Sequence, residues 1–272
     1  MVRFPIDRSD RREIGRTGEY VSAIGLGTWA IRNYGKALET FVYAIEHGID
    51  NIDTAEMYDS GRVEEMVGKV IKRIGRDKVF ITTKLLPEHV VSKDAVLKAT
   101  KACLRRLGVS EVDLLLIHWS NPSLTIGEQV RNIEEAFIQG LTRYIGVSNF
   151  DIEQLREAIS SVRKAEIVVN QVHYSVLHKD VEKDVLPYAI ENKVTIQAYS
   201  PLERGGIFGY RELSKVARKV GKSVVQVALN YVISRLRTIA LVKTENIEHL
   251  KEIIGTFGWR LPPEVIEELE NI

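Results

Sequence analysis

Val112-Asp113-Leu114-Leu115-Leu116-Ile117-His118-Trp119 is a short apolar run that ends on an imidazole and an indole. It is too brief for most helices and too continuously apolar for a strand with one wet face. It therefore reads as a strand buried on both sides, the habit of parallel sheets. Two earlier stretches repeat the pattern. Asn51-Ile52-Asp53-Thr54-Ala55 carries a carboxylate near its tip with Tyr58 five residues beyond it, and Val79-Phe80-Ile81-Thr82-Thr83-Lys84 ends on an ammonium. Residues 23–27, 144–147, 167–171, 194–199 and 238–242 bring the strand candidates to eight.

Between these strands lie stretches of 3.6-residue period, such as 37–47, which Gly48 should stop. Residues 12–21 look like an opening hairpin. Two amphipathic segments, 248–257 and 262–272, follow the last strand, the second with Pro263 suited to a first helical turn. Strand and helix alternate with no Pro/Gly/Ser linker and no low-complexity tract, the rhythm of repeated βα units. The expected fold is α/β: a (β/α)8 TIM barrel with an N-terminal β-hairpin and an extra C-terminal helix, one domain over 1–272. Periodicity alone also fits an open doubly wound sheet.

Composition narrows the classes. A net charge of +1 points to no nucleic acid partner. No run approaches the ~20 apolar residues of a membrane span, and Met1-Val2-Arg3-Phe4-Pro5 lacks the apolar core of a signal peptide. The one cysteine, Cys103, lies in a helical pattern over 95–107 and cannot form an internal disulfide, so it reads as core packing. A cytoplasmic location is expected. Many Lys, Arg, Glu, Ile and Val with few Gln hint at a thermophilic source. Asp53 and His118 alone are too few ligands for a metal, so none is expected.

In a barrel the C-terminal strand tips meet at one mouth, which would gather Asp53, Tyr58, Lys84 and His118. Together they are the parts for protonating a carbonyl. A phenol titrates near ~10 and is a poor acid at neutrality. An ammonium about 4 Å away, at an effective dielectric of ~20, stabilises a phenolate by roughly 4 kcal/mol, or about three pKa units before desolvation is counted. The cation is expected to win and to make Tyr58 a usable general acid. Asp53 would keep Lys84 charged and oriented, and His118 would direct the substrate oxygen.

These residues amount to a resemblance. Asp53-Thr54-Ala55-Glu56-Met57-Tyr58, Ile81-Thr82-Thr83-Lys84, Ile117-His118-Trp119, Gly146-Val147-Ser148-Asn149-Phe150, Asn170-Gln171 and Ala198-Tyr199-Ser200-Pro201-Leu202 resemble the aldo-keto reductase family, in order and along nearly the whole chain. The resemblance implies an enzyme of barrel fold that binds an extended nicotinamide dinucleotide at the C-terminal mouth. It would transfer a hydride from NADPH to aldehydes and ketones, and reversibly oxidise alcohols to regenerate NADPH from NADP+. Carried over residue by residue, Tyr58 is the acid, Lys84 and Asp53 tune it, and His118 orients the carbonyl. The absence of an early G-x-G-x-x-G agrees with a dinucleotide site outside the Rossmann pattern.

The same matches imply the cofactor residues. Ser148, Asn149 and Gln171 suit the nicotinamide carboxamide, and Tyr199 offers a face for the ring. Gly27, Thr28, Trp29 and Asp53 would lie beneath the cofactor, with Ser200 and Leu202 on the strand end after Tyr199. Lys243, Thr244 and Asn246 lead into a helix whose amides, with Lys243, can hold a 2′-phosphate. Glu252 would stand near the adenine. His249 takes the place of an arginine common in the family, an imidazole in place of a permanent cation, so NADPH is expected with NADH possible.

Trp29, Met57, Tyr58, His118 and Trp119 would contact a small carbonyl or alcohol substrate. Short segments after His118 and after Tyr199 leave that pocket open. Trp259 either anchors the tail or frames the pocket. A monomer or small homo-oligomer is expected. Ala55-Glu56-Met57-Tyr58 with Gly61 and Glu64 also resembles the potassium-channel β-subunit branch of the fold, which leaves an NADP(H)-sensing binding module as the alternative. That branch typically lacks the histidine found here at His118.

Overall fold

The apolar runs pair in chain order and the last returns to the first, which excludes the open sheet. A computed structural model describes residues 3–272. The barrel strands are β3 (Ile24–Gly27), β4 (Asn51–Asp53), β5 (Phe80–Leu85), β6 (Val112–Ile117), β7 (Thr142–Ser148), β8 (Ile167–His173), β9 (Thr195–Tyr199) and β10 (Thr238–Val242). All pair in parallel, and β10 closes the ring against both β9 and β3. The continuous apolarity of β6 is explained by its two covered faces. Leu114 and Leu116 pack inside the barrel with Phe80, Val168, Val169, Ile239 and Leu241, while Leu115 and Ile117 pack outward against the helical layer.

The helices are α1 (Tyr34–Glu46), α2 (Arg62–Ile74), α3 (Lys93–Leu107), α4 (Ile126–Ile138), α5 (Ile152–Ser161), α6 (Val185–Glu191), α7 (Arg211–Val220), α8 (Val224–Ile233), α9 (Ile247–Ile254) and α10 (Pro263–Glu270). Their starts follow side-chain capping. Thr125, Asp151 and Ser223 each form a reciprocal capping box at α4, α5 and α8. Gly48 follows α1 in the left-handed region, as its place in the sequence suggests. After β9 the chain forms two helices, α7 and α8, rather than one, and α10 is the addition at the C-terminal end.

The hairpin forms from β1 (Arg11–Glu13) and β2 (Tyr20–Ser22). Ile14 and Val21 enter the interior cluster of the barrel, and Thr195 Oγ1 at the start of β9 donates to Glu13 O. The N-terminal end is thereby stoppered, and the open mouth is the C-terminal one. Cys103 is buried in α3. No helix among the described residues is long and apolar enough to cross a membrane.

Candidate active site

Strand register decides which tips meet. Asp53 lies opposite Thr82 on β5, two residues before Lys84. Side chains two apart on a strand share a face, so the Lys84 ammonium can reach back across to β4. Its Nζ donates to Asp53 Oδ2 at 2.8 Å, to the Thr54 carbonyl at 2.9 Å and to the Tyr58 hydroxyl at 3.2 Å. Lys84 is wholly buried and Asp53 nearly so.

Tyr58 is set by the segment around it. Before it, Glu56 Oε1 accepts from Leu86 N at 2.6 Å and pairs with His89 Nδ1 at 2.7 Å, tying this loop to the end of β5. After it come three left-handed residues, Asp59 (φ 46°), Ser60 (φ 54°) and Gly61 (φ 87°). Asp59 is held between the Tyr34 hydroxyl and Arg62. A Cβ at Gly61 would also stand 2.5 Å from the Arg106 side chain, so only glycine fits there.

His118 faces Tyr58 edge to face, with 5.9 Å between ring centres. Burial, aided by the Lys84 charge, pushes the imidazole down to about 2. It is a neutral hydrogen-bonding group at any ordinary pH, and its buried Nδ1 has no partner.

The cation does not win at Tyr58, contrary to the expectation from sequence. Burial pushes the phenol above its ordinary value, Lys84 pulls it down, and Asp53 pushes it up again. The expectation gave burial, the largest contribution, too little weight and left out the counterion of the ammonium. Burial opposes the charge on Lys84 too, but Asp53 and Tyr58 outweigh it and the ammonium is held above its ordinary value. Burial likewise raises Asp53 against the pull of Lys84 and Gln171. Tyr58 is accordingly fully protonated at neutrality.

A second layer surrounds this centre. Gln171 Nε2 donates to Asp53 Oδ1 at 2.7 Å and to Gln197 Oε1 at 2.9 Å. Ser148 Oγ donates to the Gln171 carbonyl at 2.9 Å, and Asn149 Nδ2 to the His118 carbonyl at 3.1 Å. Ser148 and Asn149 reach these positions because the register between β7 and β8 shifts after Ile145. Gly146 sits at that shift, where a Cβ would lie 2.6 Å from the Val169 carbonyl. Tyr199 donates its hydroxyl to Asn149 Oδ1 at 2.8 Å, and its ring lies nearly parallel to His173 at 5.5 Å. The ring is thus fixed at the cavity wall.

All these tips open into a cavity of about 940 Å³. Of the residues expected from sequence, Gly27, Thr28, Trp29, Asp53, Met57, Tyr58, His118 and Trp119 line it. So do Ser148, Asn149, Gln171, Tyr199, Ser200, Leu202, Lys243, Thr244, Asn246 and His249. Lys84 lies beneath the lining. Glu252 stands outside this lining, and its carbonyl accepts from Gln226 on α8. Trp259 is not in the lining either. Its Nε1 donates to the Gly255 carbonyl and Lys222 lies 4.7 Å from its ring, so it anchors the tail.

Other lining residues escaped the sequence reading: Arg32, Asn33 and Lys36 at the start of α1, and Arg204, whose guanidinium lies 4.5 Å over the Trp29 ring. Glu245 is the most consequential, because it pairs with Lys243 at 2.9 Å. Lys243, expected to be free for a phosphate, has a carboxylate beside it.

The cavity fits an extended dinucleotide with room for a small substrate. It is open, it has a fixed aromatic ring at one wall, and the buried His118 Nδ1 and Thr28 Oγ1 have no partner. The model of the aldo/keto reductase family matches residues 23–272. The chain belongs to that family. This aldo/keto reductase is 34% identical over 239 residues to the methylglyoxal reductase YeaE of Escherichia coli (strain K12), covering 85% of this chain and 83% of that one. It also superposes with a TM-score of 0.89 on a thermostable aldo-keto reductase, Tm1743, crystallised with the inhibitor epalrestat. Identity there is 38%, over 96% of this chain and 98% of that one. An aldo/keto reductase from Klebsiella pneumoniae in complex with NADP and acetate gives the same TM-score at 30% identity, over 97% and 95% of the two chains. The chain is, by family, an NAD(P)H-dependent oxidoreductase.

Proposed function

We propose that the chain, acting as one barrel unit over 1–272, reduces small aldehydes and ketones with NADPH and runs the reverse oxidation of alcohols. The observation that supports it most directly is the buried chain from Asp53 through Lys84 to the Tyr58 hydroxyl, ending beside a neutral His118 in an open cavity. When bound, the cofactor supplies or accepts the hydride. Electron density arriving on the carbonyl oxygen must be met by a proton, and Tyr58 carries one. Its raised pKa keeps it loaded at neutrality, which suits reduction. Lys84 stays charged and stabilises the phenolate left behind. His118, neutral and with an unpartnered ring nitrogen, orients the oxygen without competing as an acid. Tyr199 backs the nicotinamide face, Ser148 and Asn149 hold its amide, and Gln171 secures Asp53. Lys243, Thr244, Asn246 and His249 take the adenosine end. The relative named a methylglyoxal reductase supports carbonyl substrates, for which Trp29 and Trp119 offer apolar walls.

Mixing the protein with NADPH and an aromatic aldehyde tests this. Loss of nicotinamide absorbance at a rate dependent on protein supports it. Cofactor binding without turnover would instead support a sensing module.

NADPH should be preferred over NADH, by a margin in which Lys243 takes part. One charge-assisted bond to phosphate is worth about 1.5–3 kcal/mol, roughly 10- to 150-fold. Lys243→Met should narrow the gap between the two dissociation constants, and His249→Arg should widen it. Equal binding of both cofactors by the unaltered protein in a fluorescence titration would refute the preference.

Breadth of substrate follows from the open mouth. Trp29 and Trp119 remain 49% and 41% exposed and Met57 39%, so a substrate finds apolar walls but little enclosure. Each methylene in such a pocket gains at most about 1–3 kcal/mol. Several unrelated aldehydes should react, aromatic ones favoured, with KM toward or above the ~1 mM end of the usual range. Steady-state kinetics on aliphatic, aromatic and sugar carbonyls checks this. One substrate leading all others a thousandfold in kcat/KM would contradict it.

A further inference from the structure

Glu245 joins two walls of the groove that are far apart in sequence. Its Oε1 accepts from the backbone N–H of Arg32 at 2.8 Å and from Lys243 Nζ at 2.9 Å, and its Oε2 from the N–H of Asn33 at 2.9 Å. Arg32 and Asn33 lead into α1 and Glu245 leads into α9, and all of them line the cavity. Burial acts to raise this carboxyl, but Lys243 and the two amides together outweigh it and hold it below its ordinary value. The carboxylate is therefore ionised and fixed. To swing away it would have to give up two backbone donors and the Lys243 ammonium at once.

Resting on the reading above, in which Lys243 and the start of α9 take the adenosine end, we propose that Glu245 sets the choice of cofactor by restraining the preference for NADPH. A 2′-phosphate brings about −1.5 to −2 charges to an ammonium that already has a carboxylate at contact distance. The added anion meets repulsion from a carboxylate held in place by three donors. An unmodified ribose brings hydroxyls instead, and a carboxylate accepts from a hydroxyl. The same side chain thus opposes one cofactor and accommodates the other. His249, on the first turn of α9, adds no permanent cation to offset it.

The test uses the whole chain and reads binding rather than turnover. Dissociation constants for NADPH and NADH are measured by fluorescence for the unaltered protein, for Glu245→Gln, and for Glu245→Ser, a shorter replacement run alongside so that either folded variant decides. Removing the carboxylate should raise the affinity ratio of NADPH to NADH about tenfold, almost all of it through NADPH. The ratio of 2′,5′-ADP to 5′-AMP, which probes the adenosine end alone, should rise in parallel. A rise of threefold or more in both ratios supports the proposal. A smaller rise, or a fall, in either overturns it. Failure of both cofactors to bind the unaltered protein would overturn the functional reading and this inference with it, whereas binding of both with an unaltered ratio in the variants overturns this inference alone.

Discussion

Tyr58→Phe should lower kcat for aldehyde reduction by at least a hundredfold while leaving the dissociation constant for NADPH within a few-fold. Phenylalanine keeps the ring that meets His118 edge to face and deletes one hydroxyl. Lys84 still has Asp53 and the Thr54 carbonyl as acceptors, so no buried charge is stranded and the fold should hold. What disappears is the proton. General acid catalysis is typically worth 10²–10⁴-fold, or about 2.7–5.5 kcal/mol of barrier. Single-turnover and steady-state rates for the purified variant check this. Retention of more than about a tenth of the kcat, a cost below roughly 1.4 kcal/mol, would mean that another group donates the proton.

The pH profile belongs to the same result. His118 is held near 2, so no step from it should appear between pH 5 and 9. Tyr58 lies above its ordinary value, so reduction should fall off only on the alkaline side, as the phenol loses its proton. A step near 6.5 would show that His118 titrates and is not the neutral orienting group proposed here.

What was legible beforehand was whatever is local in the chain. An apolar run ending in a polar residue names both a strand and the tip it carries, which is why Asp53, Lys84 and His118 could be placed on neighbouring strand ends from spacing alone. Non-local facts were not legible. Glu245 meets Arg32 and Asn33 across more than two hundred residues, and no periodicity in either stretch signals it. Arg204 reaches Trp29 only because the segment after β9 turns through left-handed residues, Glu203 and Arg204 among them, that the sequence does not flag. The balance at Tyr58 failed for a related reason. The charge of Lys84 can be read from the sequence, but the degree to which Asp53 and burial cancel it depends on distances of a few ångströms.

Lys84→Met should also abolish turnover, but with a second effect that Tyr58→Phe lacks. Asp53 is 4% exposed, and once the ammonium is gone its Oδ1 retains Gln171 while Oδ2 has lost Lys84. Breaking a buried pair by removing one partner costs about 3–5 kcal/mol, because the other charge is left without compensation. The Asp53 carboxyl is already raised by burial, and without the cation it is raised further. With its folded pKa above its unfolded one, the folded state binds the extra proton. Stability should therefore be greatest below the ordinary carboxylate range and be lost as pH rises through the folded pKa. Urea unfolding at pH 5 and pH 8 should find the deficit relative to the unaltered protein larger at pH 8. Adding Asp53→Asn to Lys84→Met removes both charges, and should restore most of the stability at pH 8 without restoring any activity. If the double variant is no more stable than Lys84→Met alone, the loss arises from packing around the lysine stem. The ion pair would then be a lesser part of what holds β4 and β5 in place.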